Sequence, residues 1–354
     1  MRSAAEELAL AARSDASGAH EDAVNALARA AGLGSVEAKT QLGKRLIAGN
    51  NAPLLPTEGA GLLIEAANGG GSEAAARLAV LAAAGVYVEP GLDHALKLIT
   101  LSAQRGWPTA QAQLIALAED RELASAASSR TVSDNAWRSL ADTIDMASWQ
   151  RAPAGRTLHD SPRVCLFENL IADEICLWLI AASSDRLNRA LVYDAVAGKD
   201  YANRNRTNSW AQFDLMGSEL IHLLVQHRMA AASGFPLHNM EATAILHYAV
   251  GEEITNHFDF VDPDIPNYEQ EIAKNGQRVM TFLIYLNDDY ERGETEFPKL
   301  GVTYKGRRGE GLYFINALDD GSPDRRTVHA GRPTANGEKW IVSQFIRNRR
   351  VLGV

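Results

Sequence analysis

In "GEEITNHFDF", residues 251–260, His257 and Asp259 stand two apart. Residues i and i+2 of an extended strand project to the same side, so this pair can offer an imidazole and a carboxylate to one point. A second imidazole would complete a two-histidine, one-carboxylate face, the set that holds iron(II) while leaving the remaining coordination positions open. His329, in "RRTVHAG" far along the chain, is the candidate, as a ligand from a neighbouring strand would be. The spacing alone is equally that of an ordinary histidine and aspartate sharing a strand, because nine histidines are spread over 354 residues.

The surrounding elements must therefore position the pair. From Val164 onward, helices are predicted around "ADEICLWLIAASSDRLN", with Asp173 at its start, and around "SELIHLLVQHRMAAAS", which ends before "GFP". Then "ATAILHYAV", "RVMTFLIYLN", "GLYFIN" and "KWIVSQFIR" follow. These runs are short, rich in β-branched and aromatic residues, and separated by turns bearing Gly and Asp. Successive short strands without intervening helices indicate a sandwich or barrel rather than a parallel sheet.

The ordered motifs "LHYAVGEEITNHFDF", "RVMTFLIYLNDDYERGETEFP", "GEGLYFIN" and "HAGRPTANGEKW", with "FENLIADEICLWLI" and "RTNSWAQF" before them, resemble the catalytic domain of prolyl 4-hydroxylases across about residues 163–348. The resemblance implies a double-stranded β-helix (jelly-roll) oxygenase domain with flanking helices. It uses Fe(II), 2-oxoglutarate and O2, with ascorbate as a reductant. It implies His257, Asp259 and His329 as the metal triad and Lys339 as the lysine that pairs with the distal carboxylate of 2-oxoglutarate. Tyr248, Tyr285 and Thr295 match further co-substrate positions. Arg278 resembles a catalytic-site arginine that touches the substrate backbone, although strand parity sets it opposite Tyr285 unless a bulge intervenes. The chemistry implied is hydroxylation of a C–H bond coupled to decarboxylation of 2-oxoglutarate to succinate.

Three positions depart from the family and fall on the substrate pocket. Ile254 replaces a Tyr, Phe345 a Trp, and Arg347 a position where some members have His. Period-2 alternation sets Lys339, Phe345 and Arg347 on one face. Proline is the leading substrate. The alternatives are a free amino acid or small molecule, or a non-catalytic module responsive to 2-oxoglutarate and iron. Between Asp259 and Arg278, "FVDPDIPNYEQEIAKNGQ" reads as a solvated loop or as a lid whose Asp262, Asp264, Glu269 and Glu271 favour a basic peptide.

The N-terminal third is a repeat. Residues 30–46, 66–82 and 102–118 superpose at a period of 36, aligning Ala31, Ala67 and Ala103, then Gly34, Gly70 and Gly106, then Leu42, Leu78 and Leu114. Each unit is predicted to be two short helices turning at the Gly, and stacked units make an α-solenoid. The pattern, over about residues 20–127, resembles Sel1-like repeats, relatives of the tetratricopeptide repeat, which present a surface to a protein or peptide partner. The expected layout is an α+β multidomain chain: solenoid 1–130, helix and linker 131–162, oxygenase domain 163–354.

A net charge of −9 argues against a nucleic-acid partner, and no apolar run is long enough to span a membrane. Acidic residues interrupt the apolar stretch at the start, so a signal peptide is not expected, and a cytoplasmic location is the default. Cys165 and Cys176, the two cysteines, sit in apolar runs and read as buried free thiols.

Overall fold

The structure, a computed structural model, describes residues 2–120, 122–123, 133–190, 192–194, 199–201 and 205–351. Residues 121 and 124–127, at the end of the expected repeat range, lie outside this set. Two compact units are distinguished: Met1–Ala147 with Leu215–Leu223, and Ser148–Asp214 with Leu224–Val354.

The first unit is helical: α1 (Ala4–Ala16), α2 (His20–Gly32), α3 (Val36–Ala48), α4 (Pro56–Asn68), α5 (Ser72–Ala84), α6 (Leu92–Gln104), α7 (Pro108–Ala118) and α8 (Asp134–Ala141). The period of 36 has a backbone cause. Gly34, Gly70 and Gly106 adopt φ of 89°, 96° and 81°. At each, the glycine N–H donates back to an alanine carbonyl (Ala31, Ala67, Ala103), and the next N–H reaches one residue further, to Ala30, Ala66 and Ser102. This is the left-handed helix stop that only glycine adopts without strain. Two further sets that recur at 36, Ala38, Ala74 and Ala110 and then Leu27, Leu63 and Ile99, are fully buried. Arg77 on α5 is buried and donates to the carbonyls of Met216 (3.1 Å) and Ser218 (2.6 Å), while also pairing with Glu219. Gln113 on α7 donates to Glu219 at 3.0 Å and accepts from the Ile221 N–H at 3.2 Å. These bonds are why Leu215–Leu223 counts with the helices.

The second unit holds β1 (Arg156–His159), β2 (Val164–Phe167), α9 (Asp173–Ser184), β3 (Asn188–Arg189), β4 (Val192–Asp194), β5 (Lys199–Tyr201), β6 (Ser209–Phe213), most of α10 (Leu220–Ser233), β7 (Thr243–Tyr248) and β8 (Ile254–His257). It continues with α11 (Tyr268–Asn275), β9 (Arg278–Tyr285), β10 (Glu291–Arg292), β11 (Thr295–Phe297), β12 (Val302–Tyr304), β13 (Gly311–Ile315), β14 (His329–Gly331), β15 (Thr334–Asn336) and β16 (Lys339–Arg347). A large antiparallel sheet runs β1-β2-β13-β9-β16-β7-β6-β3, and a smaller one β12-β11-β14-β8. The four expected strands are β7, β9, β13 and β16 of the large sheet. The alternate side chains of Leu283 and Tyr285, Leu246 and Tyr248, Leu312 and Phe314 enter one core with Phe297 and Ile254 of the small sheet. This two-sheet antiparallel unit has the jelly-roll architecture expected. Cys165 and Cys176 are buried free thiols. Among the described residues no helix is long and apolar enough to cross a membrane.

Candidate active site

β8 and β14 are adjacent in the small sheet, with His329 opposite His257. Asp259 lies just beyond the end of β8. The three residues bring one ligand atom each to within 4.8 Å of one another. His257 Nε2 lies 3.4 Å from Asp259 Oδ1, and His329 Nε2 lies 3.3 Å from Oδ2. Each imidazole turns its Nδ1 to a backbone carbonyl two residues earlier, Thr255 at 2.8 Å and Thr327 at 3.0 Å. A carbonyl only accepts, so Nδ1 carries a proton and Nε2 is the nitrogen that turns inward, the one left to ligate a metal. Phe297 and Phe314 pack against the His329 ring at 5.4 and 4.7 Å between centroids, fixing its plane. The Asp259 carboxylate accepts from Thr281 Oγ1 at 2.8 Å, and Thr281 in turn accepts from Asn316 Nδ2 at 2.9 Å. Burial works against the charged carboxylate, yet the imidazoles of His329 and His257 hold it well below the usual range. Two imidazoles and an ionised carboxylate on one side fit iron(II). His257 is the most exposed of the three, with 32% of its side chain accessible, and so marks the mouth.

Lys339 opens β16 and is buried. Its ammonium donates to the Gly293 carbonyl at 2.7 Å and sits 5.2 Å over the Tyr248 ring and 5.8 Å over that of Tyr285. Among the described residues no carboxylate pairs with it. Burial pulls its pKa down to about 7. A desolvated lysine among aromatic faces fits the distal carboxylate of 2-oxoglutarate. Tyr285 donates to Thr295 Oγ1 at 2.9 Å. Burial raises both Tyr285 and Tyr248, which keeps them neutral phenols. A loop crosses the Tyr285 ring so closely that a Cβ on Gly306 would lie 2.0 Å from it.

Bulges bring the remaining residues round. On β9 the register slips between the pairs Ile346–Met280 and Arg347–Arg278, leaving Val279 extra. The slip returns Arg278 to the face of Tyr285, where its guanidinium lies 3.9 Å over the Phe345 ring. A second slip, between the pairs His257–His329 and Ile254–Gly331, lets Ile254 join the core cluster. Arg278 is bidentate to Glu241 at 2.7 and 2.8 Å. Arg347 donates to Glu241 (2.6 Å), the Gly276 carbonyl (2.6 Å) and Glu271 (2.7 Å), so it ties α11 to the wall rather than presenting a free donor. The acidic loop is similarly engaged. Arg325 binds Asp262 and Asp264, so these carboxylates meet the chain's own arginine. Glu269, the fourth acid, sits in the first turn of α11. Thr281, Asn316 and Glu241 escape sequence reasoning. Only Thr281 has a signal, its even step from Tyr285 along β9.

Residues 243–347 match the 2OG-Fe(II) oxygenase superfamily. The probable prolyl 4-hydroxylase 3 of Arabidopsis thaliana is 31% identical over 236 residues, 57% of this chain and 80% of that protein. The chain belongs to the prolyl 4-hydroxylase family. Among solved structures, the viral collagen prolyl hydroxylase vCPH from Paramecium Bursaria Chlorella virus-1, in its 2OG complex, aligns with 54% of this chain and 98% of its own at 24% identity and TM-score 0.42. A Sel1 repeat protein from Oxalobacter formigenes aligns with 39% of this chain and 56% of its own at 23% identity and TM-score 0.31. As a prolyl 4-hydroxylase-family oxygenase, the chain is a 2-oxoglutarate-dependent dioxygenase whose chemistry takes Fe(II), 2-oxoglutarate and O2.

Proposed function

We propose that this enzyme hydroxylates a peptidyl residue, proline first, in a protein held by the helical repeats. His257, Asp259 and His329 would hold the metal, and Lys339 would hold the distal carboxylate of 2-oxoglutarate. Bound iron(II) supplies the redox chemistry, in which O2, 2-oxoglutarate and a C–H bond become succinate, CO2 and C–OH. The protein supplies orientation. Thr255, Thr327 and Thr281 lock the three ligands before metal arrives, so little reorganisation accompanies binding. Lys339 adds a charge-assisted bond in a water-poor pocket, where it is stronger than in solvent. Tyr285 and Thr295 offer hydroxyls on the same wall, and Ile254, Phe345 and the Arg278–Glu241–Arg347 cluster shape the substrate side.

The observation that carries the reading is the convergence of three inward-facing ligand atoms in a fold that also buries a lysine for which, among the described residues, no ion pair is found. The relatives' names support proline and a peptide. The repeats support a protein target, since stacked helical pairs offer a continuous surface. The test incubates the full chain with iron(II), ascorbate, 2-oxoglutarate and a proline-rich peptide pool. The expected outcome is one added oxygen on a prolyl residue, matched by succinate. Stoichiometric succinate with the oxygen on a free amino acid would replace peptidyl proline as substrate, and no oxygen transfer to any C–H compound would contradict the enzyme reading.

A further inference from the structure

Of Arg278, Arg347 and Arg206, two are neutralised by carboxylates. Arg278 pairs with Glu241, and Arg347 with Glu241 and Glu271, so two guanidiniums face two carboxylates. Arg206 is the third. Its Nε is closed off from solvent without an acceptor, and among the described residues its guanidinium has no carboxylate or carbonyl partner. The group packs 5.8 Å over the Trp210 ring. Asp259 lies near enough for its charge to bear on it, but Asp259 is already held by both imidazoles and Thr281.

The backbone fixes Arg206 in this place. It bridges to Ile254. On one side the Thr255 N–H donates to Asn205, at 2.9 Å, and on the other the Thr207 N–H donates to Glu253, at 3.0 Å. The Glu253 N–H returns to the Thr207 hydroxyl at 2.9 Å. A partly desolvated guanidinium without an acceptor destabilises a fold unless a ligand completes it. Guanidinium geometry matches a carboxylate through two parallel N–H bonds.

We propose that Arg206 receives a carboxylate of the substrate, placed beside the C–H bond that is oxidised. The carboxylate is either an acidic side chain next to the target residue or a free α-carboxylate at the end of the chain or molecule. This inference rests on the oxygenase reading and names its substrate class.

The test measures binding by calorimetry to the intact chain without iron, so it stands apart from turnover. One probe set is acetylated, amidated pentapeptides with a central proline and Asp or Asn scanned through the other positions. A second repeats them with alanine for proline, and a third compares acetyl-glycyl-proline with its amide. The expected result is one carboxylate register that binds about tenfold or more tighter than its neutral isostere, as a charge-assisted pair in a shielded site gives. That preference should fall below about twofold in Arg206→Gln and return in part in Arg206→Lys. The melting temperature of Arg206→Gln should equal or exceed that of the parent, because the cost of the unpartnered cation is removed; a purely structural arginine would lower it. An Asp register identifies an acidic side chain, and a preference confined to the free proline carboxylate identifies a terminal or small-molecule substrate. The same preference in the alanine peptides supports Arg206 while contradicting proline. Equal binding of charged and neutral probes, including no binding of any, overturns the proposal, as does a preference that survives in Arg206→Gln.

Discussion

At the scale of single residues, the unusual charge is that of Lys339. Its folded pKa near 7, against an ordinary 10.5, means the ammonium is held below neutrality and is largely lost by pH 8. Under the proposed contact, the distal carboxylate of 2-oxoglutarate pairs only with the ammonium, so binding takes up a proton above pH 7. The dissociation constant is therefore expected to weaken by up to about tenfold per pH unit between 7 and 9 and to be flat below 6.5. Anaerobic calorimetry across this range checks it, and Lys339→Met should weaken binding at pH 6.5 and abolish the slope. A flat profile in the parent would contradict a lysine contact to the co-substrate. The pairings that tune these residues were less legible than the residues themselves. His257, Asp259, His329 and Lys339 stand out by type and order, whereas Thr281, Asn316 and Glu241 acquire their roles only where strands meet, and apart from the even step of Thr281 from Tyr285 nothing in their neighbours marks them.

At the scale of elements, the repeats were legible because their signal is local. Each turn needs a left-handed residue, and glycine recurs at that place three times. Gly70→Ala is therefore expected to lower stability by about 1–2 kcal/mol. Its φ is 96°, and an added Cβ meets nothing within 4 Å, so the cost is conformational rather than steric. Gly61→Ala, within α4 and equally open, should instead stabilise by up to about 1 kcal/mol. Denaturant unfolding of the two variants separates these effects, and equal shifts would contradict the turn assignment. The bulges were not legible, since one inserted residue leaves no mark in composition, yet they bring Arg278 and Ile254 to the inner face. The acidic loop likewise gave no sign that its carboxylates would meet Arg325 and Arg347, residues well over 50 positions away.

At the scale of the whole molecule, composition and periodicity separated a helical unit from a β-rich one. They did not reveal that Leu215–Leu223 packs with the helices, because Arg77 and Gln113 reach it across more than 100 residues. A truncation near residue 130 would remove those partners as well as the repeats, so recruitment is better tested by substitutions on the exposed surface of the repeats. His257, Asp259, His329 and Lys339 are expected to form one constellation that binds iron and co-substrate. The most direct measurement is anaerobic titration of the metal-free full chain with iron(II), then with 2-oxoglutarate, alongside His257→Ala, Asp259→Ala and His329→Ala. The account predicts about one iron and one 2-oxoglutarate per parent chain, and loss of metal-dependent 2-oxoglutarate binding in each variant with folding retained. Parent-like binding of both in any two of the variants would contradict it.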